Sequence, residues 1–191
     1  MPVDVPAEVA ATRHRYPRIA LLVFLALWGL RLAATDYHGG ALGASFMHGI
    51  VLPIHEAGHV FFRPLGELMM FLGGSLFQVA LPLAIGAAFL VRQRDPFGAA
   101  VCVWWAGASL VDLSPYVWDA LDPQLVLLGG GTGAEGGHDW VYLLDRMHAR
   151  SHAHGWGATI HFLGVASMAA GVAWGARSLR ARGAAARNPT E

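Results

Sequence analysis

Residues 68–91, LMMFLGGSLFQVALPLAIGAAFLV, decide the fold, because these 24 consecutive positions contain no charged side chain. An α-helix of roughly 20 apolar residues crosses the hydrocarbon core of a bilayer. The whole chain agrees with this run, since 55% of its 191 residues are hydrophobic and only 14% are charged, whereas soluble domains carry about 25% charged residues. The sequence therefore predicts an all-α, polytopic membrane protein.

Four further segments are predicted to be embedded or partly embedded in the membrane. They lie at about 18–34, 41–62, 97–118 and 155–176. A polar interval, 119–153, contains a glycine-rich piece at 129–137 and a predicted short helix at 139–148. We expect one integral membrane domain over 1–191, a bundle of four to five membrane-embedded helices, with a polar N-terminal tail (1–17) and a basic C-terminal tail (178–191).

Arginines at both ends of the chain constrain the topology. Positively charged residues flank membrane helices on the cytoplasmic side, and they occur before the first apolar run (Arg13, Arg15, Arg18) and after the last (Arg177, Arg180, Arg182, Arg187). Both termini are then cytoplasmic, which requires an even number of crossings. We expect segment 41–62 to be a re-entrant helix in a multi-pass protein of the cell (inner) membrane; the rival is five full crossings.

Charge and cysteine content narrow the classes of function. The formal net charge is zero, so the composition gives no indication of nucleic-acid binding, and the lipid bilayer is the expected environment. Cys102 is the single cysteine and forms no internal disulfide.

The most informative motif is His55-Glu56-Ala57-Gly58-His59, which spells HExxH within the apolar segment 41–62. On a helix, His55 and His59 project from the same face one turn apart, so that two imidazoles can bind one Zn²⁺ ion. Glu56 can reach a water molecule on that ion and act as general base. Charged groups in an apolar segment usually mark a functional site.

A catalytic zinc site normally has three protein ligands and one open position. The third donor must come from elsewhere in the chain, and five residues qualify by type and placement. The candidates are Asp112, Asp119, His138, Asp139 and His48. A carboxylate at bilayer depth needs a partner, which zinc can provide. His138 can instead orient a ligand such as Asp119, and Asp139 can instead be the N-cap of the short helix.

These motifs resemble the site-2 protease family of intramembrane zinc metalloproteases. In that family HExxH is followed by a segment of the form Asn-x-x-Pro and Leu-Asp-Gly, to which Asp112-Leu113-Ser114-Pro115 and Trp118-Asp119-Ala120 are similar. Residues 73–78, GGSLFQ, are similar to the Gly-Pro-x-x-Asn signature between the two motifs. The resemblance covers about residues 48–120 and implies His55, His59 and Asp119 as zinc ligands, with Glu56 as general base.

The resemblance implies a membrane-embedded zinc metallopeptidase that hydrolyses peptide bonds of membrane protein or peptide substrates. A different class of function is a non-proteolytic membrane protein with a structural or sensory metal site. Haem ligation by histidine pairs is a third reading, and the glutamate of HEAGH argues against it because haem binding has no use for it.

Overall fold

The computed structural model describes the backbone of residues 7–185 and the side chains of residues 15–181. Within that range the molecule is a bundle of α-helices without a β-strand, which confirms the all-α prediction. The helices are α1 (Ala7–Ala34), α2 (Phe46–Phe62), α3 (Glu67–Gln93), α4 (Pro96–Asp119), α5 (Asp139–Arg146) and α6 (Ala153–Ala185).

Four of these helices are long and apolar enough to cross a membrane. The candidate spans are Arg15–Ala34, Glu67–Gln93, Pro96–Asp119 and Arg150–Ala181. Many of their large apolar side chains are exposed, among them Val91 at 81% and Phe162 at 71%. Such surface is typical of helices that face lipid. The helix that carries HEAGH, α2, has 17 residues and is not one of the candidate spans.

Helical structure extends into both segments that the sequence indicated as tails. Helix α1 already begins at Ala7, within the predicted tail 1–17, and α6 continues to Ala185, within the predicted tail 178–191. Alanine and arginine, which dominate these flanks, are both good helix formers. The side chains of Arg13 and Arg182, and the whole of Arg187, lie outside the described residues.

A tight turn places α2 against α3. Gly66 joins the two helices with φ +101°, a backbone conformation that glycine adopts without steric cost. Further along, Gly58 of the HEAGH motif faces Gly73 of α3, and a Cβ on Gly58 would lie 2.8 Å from the Gly73 carbonyl carbon. The missing side chains allow the two backbones to approach closely, so the HEAGH helix lies directly on α3.

The centre of the bundle is the pair α4 and α6, which make the most extensive helix contact. Helix α4 is the most buried of the candidate spans. Gly107 of α4 and Gly164 of α6 meet at the crossing, and a Cβ on Gly164 would lie 2.7 Å from the Gly107 carbonyl oxygen and 2.8 Å from the Val111 nitrogen. Backbone atoms cannot move aside, so this crossing needs glycine.

Replacing Gly164 by alanine is expected to destabilise the bundle by about 1–3 kcal/mol, the usual cost of overpacking. Thermal unfolding in detergent measures the change as a lower midpoint temperature. Gly155→Ala is the matched control, because it lies on the same helix and its Cβ would meet no atom within 4 Å. Equal midpoints for the two variants would contradict the close crossing.

Candidate metal centre

The two HEAGH histidines are held by hydrogen bonds on their inner ring nitrogens. His55 Nδ1 lies 2.8 Å from Gln78 Oε1, and His59 Nδ1 lies 2.8 Å from the Met70 carbonyl oxygen. Both partners are acceptors, so each Nδ1 carries the hydrogen and donates it. Histidine ligands of metals are commonly oriented in this way, and the arrangement leaves both Nε2 atoms for a shared partner.

Gln78 is itself fixed in orientation by helix α4. Its Nε2 donates to the carbonyl oxygen of Ser109 at 2.9 Å, which directs Oε1 towards His55. Gln78 is 2% exposed, so this amide joins α2, α3 and α4 in a water-poor region. In the sequence, Gln78 is the last residue of the GGSLFQ segment, whose similarity to a family signature did not indicate a role for this side chain.

The third group at this point is the carboxylate of Asp139. Its Oδ2 lies 3.0 Å from His55 Nε2 and 3.2 Å from His59 Nε2. Residues His55, His59 and Asp139 each offer one ligand atom, and these atoms all lie within 4.8 Å of one another. The group can therefore hold a metal ion.

Charge balance shows why these three groups belong together. Hydrogen bonding with Asp139 raises the pKa of His59 to about 9, although burial opposes the shift. Burial disfavours the charged form of Asp139, but its hydrogen bonds with His55 and His59 outweigh that effect and lower its pKa. Positive charge between the Nε2 atoms and Oδ2 is thus favourable, whether protons or a metal cation carry it.

Asp139 reaches the histidines because its own segment is anchored at several points. The backbone N–H of Asp139 donates to the hydroxyl oxygen of Tyr116 at 2.9 Å, and Trp140 Nε1 donates to Ser75 Oγ at 3.0 Å. The N-cap of α5 is His138, whose Nδ1 accepts from the Val141 N–H at 3.3 Å. The reading of Asp139 as the N-cap is therefore wrong, because its side chain points to the histidines instead.

The structure brings Asp139, and not Asp119, to the histidine pair. Asp119 Oδ1 accepts hydrogen bonds from the backbone N–H groups of Gln124 at 2.9 Å and Leu125 at 3.2 Å. Its Oδ2 lies 3.4 Å from His138 Nε2. Asp119 thus holds the start of the polar loop and faces His138, the neighbour of Asp139. His138 likewise stays outside the cluster of three and contacts Asp119, one of the two roles expected of it.

The two other candidate donors pair with each other. His48 Nδ1 lies 3.2 and 3.1 Å from the two carboxylate oxygens of Asp112. Neither residue belongs to the cluster of His55, His59 and Asp139, although both line the same cavity.

The space for the two imidazoles is provided by a glycine on α3. A Cβ on Gly74 would lie 2.5 Å from His55 Nε2 and 2.7 Å from His59 Cε1. The rings therefore occupy the place of a side chain that α3 lacks.

Two imidazole nitrogens and one carboxylate oxygen form a donor set that suits zinc, with a position left for water. The residues present fit a divalent metal ion.

The cluster opens into a cavity of about 1160 Å³. Glu56 lines it and is exposed, as are parts of the polar loop between 124 and 137. Among the described residues Glu56 has no hydrogen-bond or ion-pair partner. No arginine pairs with this glutamate in the described part of the chain.

Comparison of the chain with protein-family models, with curated proteins and with solved structures finds no match. The geometry of the described residues therefore carries the functional argument by itself. That geometry defines a class of site, a histidine pair and a carboxylate at the wall of a cavity in a helical bundle.

Replacing Asp139 by asparagine is expected to lower the metal content of the purified protein, because the amide keeps the size of the carboxylate but loses its charge. Elemental analysis after dialysis measures the metal-to-protein ratio. Asp119→Asn is the matched control and should retain the metal. The reverse result, loss with Asp119→Asn alone, would make Asp119 the ligand and contradict the geometry.

Replacing Gly74 by alanine is expected to displace the imidazoles and to reduce the metal-to-protein ratio as well. The Cβ would meet ring atoms held by hydrogen bonds on their far side, so the rings cannot simply withdraw. Gly49→Ala on α2 is the control, since nothing lies within 4 Å of its Cβ. A Gly74→Ala variant with the full metal content would show that the rings have another position.

Proposed function

We propose that this protein is a membrane-embedded zinc metallopeptidase, which hydrolyses peptide bonds of membrane protein substrates. The observation that carries the proposal is the convergence of His55, His59 and Asp139 beside Glu56 in one cavity. The similarity of HEAGH to the motif of the site-2 protease family supports the same activity. In this chain, however, the third ligand would come from the segment after the polar loop instead of from Asp119.

The chain's own residues divide the chemical work among them. His55, His59 and Asp139 would hold the zinc ion, which when bound polarises a carbonyl group and lowers the pKa of a water molecule towards about 7. Gln78 and the Met70 carbonyl keep the imidazoles in the tautomer that presents Nε2. Tyr116 keeps Asp139 in place through its backbone N–H.

Glu56 is the general base in this proposal. It follows His55 directly on α2, lines the cavity and is exposed. Its carboxylate takes a proton from the attacking water and passes that proton to the leaving amine as the C–N bond breaks. Both transfers need a mobile carboxylate in a hydrated cavity, which its exposure supports.

The membrane setting defines the class of substrate. We propose a multi-pass protein of the cell (inner) membrane with both termini in the cytoplasm, in which the four candidate spans cross the bilayer and α2 enters it without crossing. A site buried among these helices is reached from within or beside the membrane. The substrate backbone must be unwound to expose a peptide bond, which favours segments with helix-breaking residues.

Replacing Glu56 by glutamine is expected to reduce peptide hydrolysis by at least about 100-fold while the metal-to-protein ratio stays unchanged. Hydrolysis of a panel of apolar peptides with central glycine or proline residues is measured with the full chain in proteoliposomes. Glu67→Gln is the matched control, because Glu67 lies at the start of α3 and outside the cavity. Undiminished turnover of Glu56→Gln would exclude the mechanism, and metal binding without hydrolysis in the wild type would favour a structural or sensory metal protein.

A further inference from the structure

A second polar site lies in the wall of the same cavity, at the pair His48 and Asp112. His48 Nδ1 is within hydrogen-bond distance of both carboxylate oxygens of Asp112. Asp112 is 8% exposed, whereas the His48 side chain is 32% exposed. The carboxylate is thus the buried member of the pair, and the imidazole is the member that a ligand can reach.

The chemistry of the pair makes His48 a hydrogen-bond donor towards the cavity. A carboxylate as buried as Asp112 needs a positive partner, and its partner among the described residues is His48. Hydrogen bonding with Asp112 accordingly raises the pKa of His48. An imidazolium carries a hydrogen on each nitrogen. Nδ1 donates to Asp112, and Nε2 has no protein partner among the described residues.

The spacing of His48 from the metal centre is set by helix α2. His48 and His55 are seven residues apart on the same face, which corresponds to about 10.5 Å along the helix axis. An extended peptide covers about 3.3 Å per residue. A peptide that lies along α2 with one peptide bond at the metal centre would therefore bring the side chain about three residues from that bond to His48. The cavity lining also includes two apolar side chains, Leu52, which lies between His48 and His55 along α2, and Leu113 of α4.

We propose that His48, positioned by Asp112, is a specificity subsite for a substrate side chain whose oxygen accepts a hydrogen bond, about three residues from the peptide bond that is cleaved. The accepting group is a carboxylate or a carboxamide, and the residues between it and the cleaved bond are apolar. The inference rests on the proposed peptidase function, because that function places the substrate backbone at the metal centre.

Short peptide hydroxamates test the subsite without requiring turnover. The hydroxamate chelates zinc and anchors one end of the probe. The two residues next to it are leucines, and the third is Asp, Asn or Leu. Two series are needed, with the peptide before or after the chelating group, because the peptide can run along α2 in either direction. Dissociation constants are measured with the full chain, loaded with zinc, in nanodiscs.

In one of the two series, the Asp or Asn probe is expected to bind about tenfold more tightly than the Leu probe, as one hydrogen bond to a charged donor allows. The preference should disappear in His48→Leu and persist in the control His152→Leu, which changes an exposed histidine outside the cavity. Asp112→Asn is a second variant, which should weaken the preference for Asp by removing the charge that keeps His48 protonated.

Equal binding of the three probes in both series, or an unchanged preference in His48→Leu, would overturn the subsite. Absence of hydroxamate binding would also overturn it, because the anchoring metal centre would then be missing. The peptidase proposal is tested separately, by comparing peptide hydrolysis by the wild type with that by Glu56→Gln. A protein that binds the Asp probe through His48 but hydrolyses no peptide would keep the subsite and lose the proposed activity.

Discussion

The arrangement of this site depends on one electrostatic constraint, the approach of the Asp139 carboxylate to the Nε2 atoms of His55 and His59 at 3.0 and 3.2 Å. Lone pairs on all three atoms would repel one another unless positive charge lies between them. Because both Nδ1 atoms already donate to oxygens, the rings cannot escape by turning over. The surrounding contacts therefore hold a geometry that is stable only with a cation or protons inside it.

Close helix packing makes that constraint possible. Helix α2 lies on α3 where Gly58 meets Gly73, and Gly74 leaves room for both imidazole rings. Without a strong hydrophobic force between helices in lipid, small residues allow the backbone contact from which van der Waals attraction arises. These glycines thus serve both the helix packing and the site. The atoms nearest to a side chain added at Gly74 would be those of the two imidazole rings.

The sequence predicted what depends on neighbouring residues and left open what depends on a distant segment. The apolar run at 68–91 predicted α3, and the spacing of His55 and His59 predicted a shared helix face, because both signals are local. Asp139 was only one of several possible donors, since its position depends on how the polar loop returns to the bundle. That return uses contacts such as Trp140 with Ser75 and Tyr116 with the Asp139 backbone, which have no periodicity that a sequence reveals.

Asp119 illustrates the same limit from the other direction. Its place near the end of α4 and its similarity to a family motif favoured it as a ligand. In the structure, however, its Oδ1 accepts hydrogen bonds from two backbone N–H groups of the loop. A carboxylate at the end of a helix can accept hydrogen bonds from the backbone that follows it as readily as it can bind a metal. In this molecule, Asp119 faces His138 while the adjacent Asp139 faces the histidine pair. The carboxylate that meets the histidine pair is thus decided by where the loop returns to the bundle, and not by which acidic residue ends α4.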